Sequence, residues 1–219
     1  MLNGANHFAY GANGRWEIIS AQNAVLQGDG TYLLSDMMRG RFGTEWAMGT
    51  HQAYDRLVLL NTSTLQFVAS PLSGIGLTYQ YRAVTFGKQL SSAESVEFVY
   101  DGENLECLSP VYLNGSLHPT TNDWSLNWIR RTRVGGEWRS YVDASLGEAS
   151  EAYEVEIYSS AAYTTIKRTI TGLTSAACAY TSADQVTDFG SNQATLYVKI
   201  YQLSANVGRG QPLTTSITR

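Results

Sequence analysis

The feature that most limits what this chain can fold into is a two-residue alternation of apolar and polar side chains, repeated in short runs. It is clearest in Tyr153-Glu154-Val155-Glu156-Ile157, where apolar and acidic groups fall on opposite faces of an extended strand. The same alternation runs through Leu196-Tyr197-Val198-Lys199-Ile200, Val96-Glu97-Phe98-Val99-Tyr100 and Leu126-Asn127-Trp128, and less decisively through Leu77-Thr78-Tyr79-Gln80-Tyr81. Asn13-Gly14, Asp29-Gly30, Asp101-Gly102, Asn114-Gly115 and Gly135-Gly136 punctuate these runs, and such pairs supply the positive φ of tight hairpin turns. No window carries a long helical period. Two short segments, Thr44 to His51 and Ser182 to Val186, are helix candidates that read equally well as turns. The pattern implies an all-β protein, in which each half-buried strand must cover one face against another sheet.

A length of 219 residues allows one large domain or two of similar size. Proline breaks the strand pattern at Ser109-Pro110, so the expected division is 1–109 and 110–219, two β-sandwich or barrel-like domains. From Pro110 onward the strand spacing resembles a fibronectin type III or immunoglobulin-like sandwich. Val111 to Ser116 forms its first strand, and Trp124, Leu126 and Trp128 lie on one face of the second. Tyr153, Val155 and Ile157 face them from a later strand, Leu196, Val198 and Ile200 from another, and Leu213 to Ile217 closes the sheet. Trp16, Trp128 and Tyr153 are the expected core anchors. Tyr197 and Tyr201 fall on the outward parity.

Charge narrows the functional classes. The chain carries 15 basic and 19 acidic residues for a net charge of −4, mixed along its length, with no basic stripe to follow a phosphate backbone. The densest basic cluster, Arg130, Arg131 and Arg133, is succeeded by Glu137 and reads as a solvated face, so nucleic acid is not an expected partner. Cys107 and Cys178 form no metal or redox spacing and read as small buried residues; a disulfide between them is the lesser reading, since the N-terminal residues lack the basic and apolar regions of a secretory signal. No apolar run approaches a membrane span, and synthesis in the cytoplasm is expected.

Catalytic constellations are missing from the sequence. There is no G-x-S-x-G elbow, no H-E-x-x-H pair and no calcium loop, and His7, His51 and His118 are dispersed. Glu154 and Glu156 share one strand face, which solvates a sheet and does not set an acid and a base across a substrate. The expectation is a protein that is not an enzyme and has no cofactor or metal. Five tryptophans and 14 tyrosines leave a second class open, a carbohydrate-binding or receptor-recognition module whose aromatic rings stack on sugars.

The most distinctive stretch is Leu33-Leu34-Ser35-Asp36-Met37-Met38-Arg39-Gly40-Arg41-Phe42-Gly43-Thr44-Glu45, with His51 and then Asp55-Arg56-Leu57-Val58-Leu59-Leu60 after it. With the preceding Trp16-Glu17-Ile18-Ile19 it resembles the C-terminal region of phage tail-tip or baseplate proteins of the gene-transfer-agent "megatron" kind, the host-specificity or tail hub proteins. The similarity continues through Tyr81-Arg82-Ala83-Val84, Trp128-Ile129-Arg130-Arg131-Thr132-Arg133, Leu146-Gly147-Glu148 and Gln202-Leu203-Ser204. It implies a structural place in a virion tail tip, contacts with other tail and baseplate proteins, a trimeric homo-oligomer, and contact with a host surface glycan or receptor. Proteins of that kind are usually much larger, with hub and hydrolase-like regions ahead of this part, so their enzymatic roles do not carry over. Arg39, Gly40, Arg41, Gly43, Thr44 and Glu45 are the candidate motif. The glycines read as turn positions, and the charged groups pair with one another or with a neighbouring subunit. No lysine comes after Gly43, so the motif is not a phosphate loop.

Overall fold

The computed structural model describes residues 6–61, 63, 65–66, 68–136 and 140–219. Among them are fourteen strands and one eight-residue helix, so the protein is nearly all-β, as the alternation requires. No helix among the described residues is long and apolar enough to cross a membrane. Two compact units divide the chain, Met1–Val68 and Ala69–Arg219. That division falls ahead of the one expected at Ser109-Pro110. The reason is that the segment before Pro110 is fastened to the C-terminal end of the chain: the Cys107 carbonyl accepts the Gln211 N–H at 3.1 Å and Gln211 Nε2 donates to Glu106 at 2.8 Å.

In the first unit, β1 (His7–Gly11), β2 (Glu17–Leu26), β3 (Tyr32–Arg41) and β4 (Arg56–Leu59) form one antiparallel sheet in the order β3-β2-β1-β4. Asn13-Gly14 turns β1 into β2, and Asp29-Gly30 turns β2 into β3. A 3₁₀ turn, Glu45–Ala47, stands where the first helix candidate lies. Trp16 precedes β2 and is half-buried, so it is not the anchor expected. The adjoining inward position is taken by an acid, Glu17, with Ile19 and Ala21 after it.

The second unit opens with a strand pair, β5 (Thr78–Tyr81) and β6 (Val96–Val99). The rest of the unit is a two-sheet sandwich. One sheet holds β7 (Val111–Leu117), β8 (Trp124–Ile129) and β11 (Ala177–Tyr180) in the order β11-β8-β7. The other joins β9 (Tyr153–Tyr158), β10 (Ile166–Leu173), β12 (Thr195–Ser204), β13 (Gly208–Arg209) and β14 (Leu213–Thr218), with β12 between β9 and β14. Trp124, Leu126 and Trp128 meet Tyr153, Val155, Ile157, Leu196, Val198 and Ile200 between the sheets, together with Tyr180. Trp128 and Tyr153 are the buried anchors expected, ring edge to ring face with centroids 5.3 Å apart.

Two sequence expectations change here. Asn114-Gly115 is not a turn but the middle of β7, paired with Asn127 and Leu126 of β8. Glycine is needed there because a Cβ would lie 2.7 Å from Leu126 Cδ2 and 3.0 Å from Ile217 Cδ1, so β7 and β14 approach too closely for a side chain. The second helix candidate extends to α1 (Ser182–Phe189). Thr181 caps it by accepting the Asp184 N–H, and Gly190 ends it in the left-handed conformation. Asp188 docks the helix by accepting from Arg168 Nε at 2.6 Å and from the Tyr180 hydroxyl at 2.8 Å.

Candidate functional site

The Arg-Gly motif is built on an irregularity in the β2-β3 ladder. Ile18 pairs with Arg41 and Ser20 with Met38, so Ile19 alone stands opposite two residues, Arg39 and Gly40. This is a β-bulge, and it re-aims what the bulged residues carry. The Arg39 guanidinium grips Glu17 with Nε to Oε1 at 2.7 Å and Nη2 to Oε2 at 2.6 Å, while the Gly40 N–H also donates to Oε1 at 2.7 Å. Gly40 has φ +57°, and a Cβ on it would meet Glu45 Cγ at 2.8 Å and Met48 Sδ at 3.0 Å. Only glycine lets the 3₁₀ turn sit on the bulge. Thr44 completes the join, accepting the Ile18 N–H at 2.9 Å and donating to the Arg41 carbonyl at 2.7 Å.

Beyond the motif the network runs on. His51 Nε2 lies 2.7 Å from Glu17 Oε2, and its ring stacks on Tyr10 with centroids 4.0 Å apart. His51 Nδ1 is 3.8 Å from Asp55 Oδ2, and Asp55 accepts a two-pronged pair from Arg15, at 3.0 and 3.2 Å, and the Gln52 N–H at 2.9 Å. Arg15 also donates to the Thr50 carbonyl. The series Arg39, Glu17, His51, Asp55, Arg15 therefore ties β3, β2, the segment after the 3₁₀ turn and the β1-β2 turn together. Glu17 is fully buried. Burial pushes its carboxyl up, but hydrogen bonds from Arg39, His51 and the Gly40 N–H outweigh it and hold the group down at about 2. The Gln52 N–H and then Arg15 lower Asp55 as well. Each of these charges has a neighbour to answer it, which suits a clamp between strands.

From the sequence alone, Arg39 pairs within the Arg39, Arg41 and Glu45 cluster or with a neighbouring subunit. Its partner is Glu17, and the signal was an acid on the inward parity of an apolar strand, which must find a cation once buried. Arg41 is half-buried with its guanidinium 5.6 Å from the Phe42 ring, and Gly43 holds a turn at φ +84°.

Past Ala21 the first unit looks different. β2 and β3 continue as a two-stranded arm, where Leu26 pairs with Tyr32, Val25 with Leu33 and Ala24 with Leu34. Val25, Leu26, Tyr32 and Leu33 are 54%, 60%, 65% and 59% exposed. Strand parity puts Leu26, Tyr32 and Leu34 on one face and Val25 and Leu33 on the other. At the foot of the arm an apolar groove of about 220 Å³ is lined by Tyr10, Ile19, Tyr32, Leu34, Met37 and Leu57, with Arg39 at its edge.

On the sandwich, Glu154 and Glu156 are not the solvated pair expected. Glu156 is 3% exposed and accepts from the hydroxyls of Tyr158 and Tyr201, at 2.5 and 3.2 Å, while Arg209 bridges both acids. The pairing is forced because β13 folds Arg209 back over the strand face. Tyr197 and Tyr201 are both half-buried. Arg209 lies 4.6 Å from the Tyr201 ring, Tyr197 packs edge-on to Tyr163, and Lys199 approaches the rings of Tyr158 and Tyr163. Of the three arginines, Arg130 donates to the Ala144 and Ser145 carbonyls, Arg131 to the Ser109 carbonyl, and Arg133 pairs with Glu148. They staple the β8-β9 connection, and Glu137 lies outside the described residues.

Residues 1–58 match the family model "Rcc01698-like, C-terminal". The match takes in the bulge, the Glu17 network and the arm. No curated protein matches the sequence. Among solved structures, the crystal structure of the rat CD45 extracellular region, domains d3-d4, aligns over 90% of this chain and 94% of that chain. The identity is 11% and the TM-score 0.31, a likeness too distant to transfer any property.

Proposed function

We propose that this chain is a non-enzymatic structural component of a phage or gene-transfer-agent-like tail tip or baseplate, joining neighbouring tail proteins and standing close to the host surface. The observation that carries this reading is the coincidence, within 1–58, of the family match and an internally clamped sheet with a bare apolar arm. The name of the matched family hints at a gene-transfer-agent-related protein, and the match falls on the stretch with the most distinctive tail-tip resemblance. A sheet that answers its own charges yet leaves large apolar side chains in water is organised for a protein neighbour.

Particles purified on a density gradient from cells expressing a tagged copy test the proposal. The chain is expected to travel with the particles, and its deletion to abolish delivery. A chain found only among free proteins, with delivery intact after deletion, overturns the reading. A glycan-binding adhesin is the competing reading, motivated by Tyr158, Tyr163, Tyr197 and Tyr201 on one sandwich face. Lys199 and Arg209 already cover several of those rings, so the tail-assembly reading is preferred. Retention on a glycan array that is lost in Tyr201→Ala would reverse that preference.

A further inference from the structure

The clamp answers its own charges on one face of the first sheet, and the opposite face does not. The strand register puts His7, Ile18, Ser20, Arg41, Arg56 and Val58 on the side away from Glu17. Over the length of β1, no acid of the four strands shares that side among the described residues. Arg15 and Arg39 are paired with Asp55 and Glu17, whereas Arg41 and Arg56 have no ion pair among the described residues.

Three observations meet at Arg41. It is half-buried, and its Nε is shut away from water with no acceptor in reach, so the cation bears a desolvation cost without a counter-charge. Phe42 beside it is held at φ +55° with 69% of its surface exposed, a left-handed conformation that is costly for a bulky residue and here brings no burial. Its ring lies 5.6 Å from the Arg41 guanidinium and edge-on to His7, with centroids 5.3 Å apart. A ring against a guanidinium leaves the edge of the fork open to a planar two-oxygen anion. Burial, and then the Arg41 charge, lower the His7 imidazole, whose Nδ1 meets the Ser20 hydroxyl at 2.5 Å, so at pH 7 Arg41 is the cation of this corner.

We propose that this face takes an acidic, extended segment of a neighbouring protein, with one carboxylate seated on Arg41 beside Phe42 and a second on Arg56. From Arg41 the row of paired residues runs through Ile18 and Ala9 to Val58, roughly 14 Å at the usual strand spacing, and the exposed Arg56 lies two residues along β4 from its end. Carboxylates four residues apart in an extended peptide project to the same side and stand roughly 14 Å apart, within reach of two long arginine side chains. Ile18 and Val58 lie between the arginines and meet the apolar residue between the two acids. Two unanswered cations with no acid beside them select an anionic chain and reject a basic one. Cations set apart by apolar side chains suit a segment that alternates acid and apolar groups, not a nucleic acid or lipid surface, which needs a continuous basic patch. The inference rests on the tail-tip reading only in taking the neighbour to be a tail protein, and the binding is measured without one.

The probe is a capped five-residue peptide with glutamate at both ends, valine in the middle and threonine between, titrated into the full nitrogen-15-labelled chain. Saturating shifts are expected at the Nε–H signals of Arg41 and Arg56 and at the amides of Ile18 and Val58. Affinity is expected to fall at least about tenfold in Arg41→Gln and in Arg56→Gln, since each loses one charge-assisted pair. The same loss is expected on wild type when both glutamates of the peptide are replaced by glutamine, a comparison that stands even if a variant fails to fold. No saturable shift at millimolar peptide, equal binding of the glutamine peptide, or equal binding by folded variants refutes the seat. Inorganic phosphate or vesicles of anionic lipid that occupy the same signals more tightly than the peptide refute it too. A chain that binds no peptide yet travels with particles removes the seat and leaves the tail-tip reading standing. A chain that binds the peptide but is absent from particles keeps the seat and overturns the tail-tip reading.

Discussion

Replacing Glu17 by glutamine removes one negative charge from a position without solvent access and leaves Arg39, the Gly40 N–H and His51 facing a weaker acceptor. The magnitude comes from the carboxyl itself. A group held at about 2 in the folded protein, against an ordinary 4.5, contributes roughly 3 kcal/mol of stability at neutral pH. Because the folded value lies below the ordinary one, that contribution is complete above about 4.5 and is lost as the pH falls through about 2. Glu17→Gln is thus expected to cost about 3 kcal/mol at pH 7, in line with breaking a buried ion pair. It is also expected to flatten the loss of stability that wild type shows between those two pH values. The assay is urea unfolding of the full chain at a series of pH values, with a hydrogen-exchange pulse at one fixed pH reporting on β2 and β3 amides. A variant that loses less than about 1 kcal/mol, or keeps the wild-type pH profile, refutes the clamp.

Other substitutions test the remaining joints. Gly40→Ala places a Cβ against Glu45 and Met48 in a left-handed backbone and is expected to cost roughly 1–3 kcal/mol, read by the same pulse as faster exchange in β3. Trp128→Ala is expected to cost about 3–5 kcal/mol, seen as an earlier urea midpoint for β8, β9 and β12 amides with β1 to β4 unchanged. Gly115→Ala overpacks Leu126 and Ile217 and is expected to cost about 1–3 kcal/mol, read as a lower urea midpoint for the same amides. Burial pushes the Cys107 thiol up to about 12 and Cys178 up to about 11, so both stay protonated at pH 7.5. A thiol reagent with mass-spectrometric readout is expected to label neither in the folded chain and both in denaturant.

The sandwich was the most legible part of the sequence because its strands present one face to a core. Trp124, Leu126 and Trp128 alternate with polar neighbours, and each lies buried where parity puts it. The outer face was read less well. Glu154 and Glu156 share the outward parity of any solvated pair, and only the return of β13 brings Arg209 over them, a contact between residues more than fifty positions apart. The same limit applied to Glu17. Its partners Arg39 and His51 come from a bulge and from the segment after a 3₁₀ turn, and nothing in a two-residue period records a bulge. Gly115 misled for the opposite reason: Asn-Gly is a strong local turn signal, and the close packing of β7 on β14 overrode it. Trp16 shows that a large apolar residue next to a strand need not fill the core when an acid and its cation occupy the adjacent inward position.

The most direct test of the assembly role is where the chain sits on a particle. Electron microscopy of gradient-purified particles carrying a gold-labelled tag on this chain is expected to show label at the tail end distal to the head, and none elsewhere. Label on the head or scattered along the tail shaft, or particles without label although the tagged chain is made, would contradict that role.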